Sequence, residues 1–214
     1  LYVELGGYTA WPKYTLDALN QLDTTDPGQR ISGVAPYARI GWFRDERVQS
    51  WHVGAVGMVA PMTDYGSTGN GIDRYRDFGL DASYQWLGDR KNVFTLSGSY
   101  LLERANFARS VAAGDAANTR QSLDQINLAG AYFYDRTYGF TAQYFSTTGN
   151  FDATLNSGRT GKPDSSGARF ELSWTPFGKE ESWMAPWANV RLGLQYTAYD
   201  KFEGARRNYD GAGR

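Results

Sequence analysis

The chain has 214 residues, enough for one ordinary domain or for a large piece of a longer protein. Its 22 Lys and Arg against 23 Asp and Glu leave a net charge of −1, without the basic excess of a nucleic-acid binder, so no nucleic-acid partner is expected. Cysteine is absent and histidine occurs once, at His52, which excludes disulfides and thiolate ligands and leaves little room for a metal or a cofactor.

In chain order the dominant signal is period two. Leu1–Thr9, Val34–Phe43 and Trp51–Met62 read as strands with imperfect alternation. Asp73–Leu87 alternates cleanly: Phe78, Leu80, Ala82, Tyr84 and Trp86 form one face, Asp77, Gly79, Asp81, Ser83 and Gln85 the other. The same pattern recurs in Val93–Glu103, Gln125–Tyr134, the stretch around Phe140–Thr147, Ala168–Thr175 and Asn189–Thr197. Nine strands are expected, each about nine to thirteen residues, longer than the usual five or six of soluble proteins. A tilted strand that crosses a bilayer needs roughly 9–11. No run of apolar residues is long enough for a transmembrane helix; Val53–Met62, the longest, contains two glycines and a proline.

The connections also alternate. Short ones are expected near Arg44–Gln49, Gly88–Asn92 and Asp135–Tyr138, with a slightly longer one at Phe177–Ala185. Long ones run over Ala10–Ser32, Thr63–Ile72, Ala105–Ser122, Thr148–Ser166 and onward from Glu203. Short turns at one end and long polar loops at the other are the layout of an outer-membrane barrel. The first long loop holds a leucine stripe in Thr15–Asp23 that would suit a short helix.

Aromatic residues make up 15% of the chain, and six of the seven tryptophans lie at the short-turn end. Trp42, Trp51, Trp86, Trp174 and Trp187 are therefore expected at a lipid interface, where amphipathic rings settle at the headgroup level. Arg74 and Arg76, on the apolar face at the opposite end of their strand, are expected at the other interface; they read as part of a frayed loop end, the alternative being that they face lipopolysaccharide phosphates. Arg39, Asp77, Asp81, Glu103, Arg169, Glu171 and Arg191 all fall on the polar face and are the expected pore-lining charges. The apolar face is nearly free of charge in mid-strand, where a lipid-facing Arg or Lys costs roughly 2–4 kcal/mol.

These features predict an all-β protein, an antiparallel up-and-down transmembrane β-barrel occupying residues 1–214 as one domain. An even strand number is the rule for bacterial single-chain barrels. Nine strands ending in a loop therefore imply a segment of a larger barrel, with a closing strand after Arg214 and others before Leu1.

Ile31–Trp42, Tyr134–Gly149 and Pro186–Arg214 resemble the C-terminal half of proteobacterial outer-membrane barrels of the porin–cytochrome type. Full-length members of that family carry a haem-binding CxxCH and end in a strand with a terminal aromatic; neither is present here. The resemblance implies a Gram-negative outer-membrane location, and a haem role that these residues cannot support.

No catalytic constellation is marked. His52 lacks a local nucleophile and acid, and reads as a polar residue near the short-turn rim. Asp77 and Asp81 lie about 13 Å apart along one strand, too far for a carboxylate dyad. The expected function is a non-enzymatic, porin-like channel for passive diffusion of small polar solutes, with outer-membrane lipid and lipopolysaccharide around it. Homo-oligomers or a larger membrane complex are both compatible. The alternatives are a barrel serving as sheath or anchor for a surface or haem electron-transfer complex, and a soluble ligand-binding barrel.

Overall fold

The computed structural model describes residues 1–19, 28–65, 69, 71–88, 91–185 and 187–207. Its strands are β1 (Tyr2–Tyr8), β2 (Gln29–Ile31), β3 (Ala35–Asp45), β4 (Gln49–Asp64), β5 (Asp73–Trp86), β6 (Asn92–Phe107), β7 (Arg120–Tyr134), β8 (Tyr138–Gly149), β9 (Ser165–Trp174) and β10 (Leu192–Lys201). Two short helices, α1 (Lys13–Ala18) and α2 (Ala108–Ala113), lie in the long connections. All ten strands belong to one sheet of order β1-β3-β4-β5-β6-β7-β8-β9-β10, with β2 attached to β4. Every pairing is antiparallel, which the short turns joining β3 to β4, β5 to β6 and β7 to β8 require of those pairs. The sheet is open, with β1 and β10 at its edges. No helix among the described residues is long and apolar enough to cross a membrane.

The nine expected strands are present, and β2 is a tenth. Three residues are too few for alternation to register, and β2 forms only because Gln29, Arg30 and Ile31 find Asp64, Thr63 and Met62 at the overhanging end of β4. The expected loop at Ala105–Ser122 is largely ordered: β6 runs on to Phe107, β7 starts at Arg120, and α2 sits between them. The expected short fourth connection is longer than the other three, spanning the whole interval between Trp174 and Leu192. In place of the expected helix over Thr15–Asp23, a shorter one spans Lys13–Ala18, holding Leu16 and ending at Leu19 as its C-cap; residues 20–23 lie outside the described residues.

One turn is sharply specified. Asp135 and Arg136 both have positive φ (49° and 57°), and Thr137 N–H donates to Tyr134 C=O at 3.0 Å. This is the type I′ geometry whose twist matches the flanking strands, here made without glycine.

The distribution of apolar side chains is inverted relative to a water-soluble domain. Among the described residues only Ala35, Ala105, Phe107, Ala116 and Ala205 are buried and hydrophobic. Leu128 is 53% exposed, Leu172 58% and Leu194 72%, whereas the Asp81 side chain on the opposite face is 27% exposed. The exposure pattern of β5 alternates in the same sense, with its apolar members outermost. A sheet curled around its polar face produces this difference, because concave-side groups screen one another and convex-side groups have no cover. The accessible surface is 13998 Å². A compact monomer of this mass would expose roughly 9,900 Å².

Candidate functional site: the charged face of the sheet

The register assigns each side chain a row. On the polar face one row reads His52, Ser83, Ser97, Ala129, Gln143, Arg169 and Thr197 across β4 to β10. The neighbouring row reads Gly41, Gly54, Asp81, Ser99 and Asn127. Arg39, Asp77, Asp81, Glu103, Arg169 and Glu171 all project from this face, in agreement with their alternation. Arg191, just ahead of β10, forms an ion pair with Glu171.

Two groupings emerge that the residues' spacing does not reveal. In the first, Arg39 Nη2 donates to both oxygens of Asp81, at 2.8 Å to Oδ1 and 3.0 Å to Oδ2. His52 Nδ1 lies 3.1 Å from Asp81 Oδ2, and its ring stacks on Phe43 with centroids 4.4 Å apart. The cluster needs its two glycine partners. A Cβ on Gly54 would stand 3.0 Å from Asp81 Oδ1 and 3.2 Å from both Arg39 Nη2 and His52 Nε2. His52 is therefore not simply a rim residue: an acid on the neighbouring strand, itself paired with Arg39, holds it. Its Nε2 is buried and has no hydrogen-bond partner, so Ser83, its register partner, is not joined to it as a nucleophile would be.

In the second grouping Asp77 and Glu103 face each other directly across β5 and β6. Their row continues to Met58 on one side and Leu123 on the other, neither of which offers a compensating cation. The arrangement leaves uncompensated negative charge toward the long-loop end. Among the described residues no three His, Cys, Asp or Glu side chains converge as metal ligands.

The outward face has its own order. Trp86, Phe94, Tyr132, Phe140, Leu172 and Leu194 are register partners in one row, and Tyr134, Tyr138 and Trp174 extend the aromatic band toward the turns. Trp51 packs on Tyr84, with ring centroids 4.3 Å apart, one row further in, and Trp42 lies nearby on β3. Trp187 is 89% exposed in the connection between β9 and β10. Arg74 and Arg76 are exposed on the same outward face near the start of β5.

At the long-loop end, buried carboxylates tie the connections together. Asp73 is fully buried; it accepts Ser110 Oγ at 2.5 Å and the Arg109 and Ser110 amides at 2.8 and 3.1 Å, capping α2 from a strand. Gly114, with φ 82°, closes that helix in the left-handed conformation. Arg109 joins Asp64 and Asp115, each at 2.7 Å. Asp152, also fully buried, accepts from the amides of Ala117, Asn118, Thr154 and Leu155 and from Gln121 Nε2. Burial alone would raise its pKa, but the backbone amides outweigh that and lower it to about 2. One carboxylate thus links the connection after β6 to the connection after β8. Sequence reading missed it because an isolated Asp in a long polar stretch carries no periodic signal.

Comparison with known proteins finds no matching family model, no matching curated protein and no matching solved structure.

Proposed function

We propose that the chain belongs to an outer-membrane β-barrel whose charged face lines a water-filled passage for small polar solutes. The observation that carries this reading is the height of the outward apolar band. On β5 it lies between Arg76 and Trp86, ten residue steps apart. At about 3.4 Å per residue and a strand tilt near 40°, that is roughly 25 Å, the height of the hydrocarbon-facing band of membrane barrels. Arginines bound it on one side and a row of rings on the other, as interfacial anchoring demands. The charged groups that intrude are near its margins: Asp124 next to Arg104 at 3.5 Å, and Arg44, 2.7 Å from Glu46 in the adjoining turn. Burying this band in lipid removes the cost of exposing Leu, Phe and Val to water, about 25 cal/mol for each Å².

Passage through the barrel would be diffusive, filtered by width and by inward charge. Arg39 with Asp81, and Arg191 with Glu171, neutralise one another. Asp77, Glu103 and Glu4, the register partner of Arg39, remain against Arg169, so the passage prefers cations. The likeness to porin–cytochrome barrels points to the same membrane. Stepwise ohmic conductance in planar bilayers with cation preference is the expected result. A silent barrel that co-purifies with haem absorbance favours the sheath, and a monomer that stays dispersed without detergent refutes both.

A further inference from the structure

The outward face of β5, β6 and β7 carries a cluster that conduction does not use. Arg76 stands directly opposite Arg104 across the β5–β6 ladder. In the next row toward the loops, Arg74 and Arg120 flank Asn106, one from each neighbouring strand. All four arginines are exposed. Rows on one face are about 7 Å apart and strands about 4.8 Å apart, so the four side chains are rooted within roughly 10 by 7 Å. Like charges directly opposite in an antiparallel pair are destabilising. Among the described residues a single acid reaches the cluster: Asp124, one row further in, lies 3.5 Å from Arg104 Nη1 and accepts from Tyr100 Oη at 2.7 Å. Among the described residues Arg74, Arg76 and Arg120 form no ion pair. The flanking partners on β4, Pro61 and Val59, are uncharged, as is Ser122 on β7.

Beyond the intervening row of Phe78, Leu102 and Asp124, the same face turns apolar and concave. Ala82 and Gly98 keep the surface low between Leu80, Ile126 and Leu128, leaving a groove of about 490 Å³. It shares Val53, Ala82, Gly98 and Leu128 with a second groove of about 750 Å³ that continues toward Trp51, Tyr84 and Phe170. A cationic patch above an apolar track fits an anionic amphiphile, with head and chains in that order.

We propose that Arg74, Arg76, Arg104 and Arg120 bind the phosphates of a phosphorylated glycolipid of the lipid A class, whose acyl chains lie in the groove beneath. Guanidinium forks match phosphate oxygens in bidentate geometry, and a phosphate between Arg76 and Arg104 turns their repulsion into attraction. The inference rests on the membrane reading, with the long loops at the outer surface.

The test uses the purified protein in non-ionic detergent, with binding measured by native mass spectrometry and thermal shift. The probes are bisphosphorylated lipid A, its dephosphorylated form, phosphatidylglycerol and inorganic phosphate. Lipid A is expected to bind and raise Tm. Dephosphorylation, or the double variant Arg76→Gln/Arg104→Gln, is expected to weaken binding roughly tenfold or more. Arg47→Gln, an exposed arginine in the turn at the far end, is expected to leave binding unchanged. Should the double variant fail to fold, Arg120→Gln alone carries the comparison, with a loss of at least roughly threefold expected.

Equal binding of the dephosphorylated lipid, or phosphatidylglycerol binding as tightly as lipid A, overturns the proposal. An equal shift from inorganic phosphate alone overturns it too, by showing a free-anion site. The same preparation is tested for conductance in planar bilayers. Conducting channels without lipid A binding sink this inference and leave the channel reading intact; no insertion at all sinks both.

Discussion

Replacing Leu128 with arginine separates a lipid-facing sheet from one facing water. Leu128 lies on the outward face of β7, 53% exposed, with Gly98 and Tyr144 as its cross-strand partners. Four residues separate it from Tyr132 in the aromatic row, and six from Ser122 in the Arg76–Arg104 row. With a tilt near 40° these become roughly 10 and 15 Å, which places Leu128 close to the middle of the apolar band. In hydrocarbon the arginine costs roughly 2–4 kcal/mol, a factor of about 30 to 900 in the folding equilibrium. In water an exposed substitution of this kind stays within about 0.5 kcal/mol. The control is Asn127→Arg, the adjacent residue on the polar face, in the row of Asp81 and Ser99. It projects into the wet side and is expected to change stability by less than about 0.5 kcal/mol. Equilibrium urea unfolding from phospholipid vesicles, followed by tryptophan fluorescence, measures both variants. Equal stabilities for the two, or a larger loss for Asn127→Arg, would refute the assignment of faces.

Asp77→Asn combined with Glu103→Gln removes two uncompensated carboxylates and should move the zero-current potential in a salt gradient toward anion preference; an unchanged potential would show that these groups do not line the conducting path. Asp152→Ala leaves four amides and Gln121 without their acceptor, a loss of about 2–4 kcal/mol in local stability, read by faster proteolysis or hydrogen exchange in residues 108–119 and 150–164. Because the Asp152 pKa is lowered from 3.8 to about 2 in the folded state, the stabilisation is complete above pH 4 and fades as pH falls toward 2. Exchange rates in those loops should therefore rise over that interval in the unmodified protein and stay flatter in the Asp152→Ala variant. Replacing Asp135-Arg136 with Asn-Gly, which accept positive φ more readily, should stabilise the β7–β8 hairpin by about 1 kcal/mol in a urea titration.

Much of the architecture was legible in the residues alone. Phe78, Leu80 and Ala82 on one side and Asp77, Gly79 and Asp81 on the other define both faces of β5 without any neighbour, since alternation is a local property of an extended chain. Where a short turn joins neighbours, as at β3–β4, β5–β6 and β7–β8, the pairing follows from the same information, because adjacent segments then have little choice but to pair. Strand ends were less legible. The extension of β6 to Phe107 and the start of β7 at Arg120 depend on Ala105, Phe107 and Ala116 packing with Tyr75 and Val111, a contact between distant segments.

Local periodicity, a consequence of backbone geometry, thus determined the fold class, the two faces and the aromatic margin. Tertiary structure decided which residues of one strand stand beside which of the next. Pairing register brought Arg39 and His52 to Asp81, set Arg76 against Arg104, and made Asp152 the tie between two connections. Register is the summed outcome of turn geometry, ladder hydrogen bonds and face burial over whole strands, so a polar contact between residues dozens of positions apart has no signature in either segment alone.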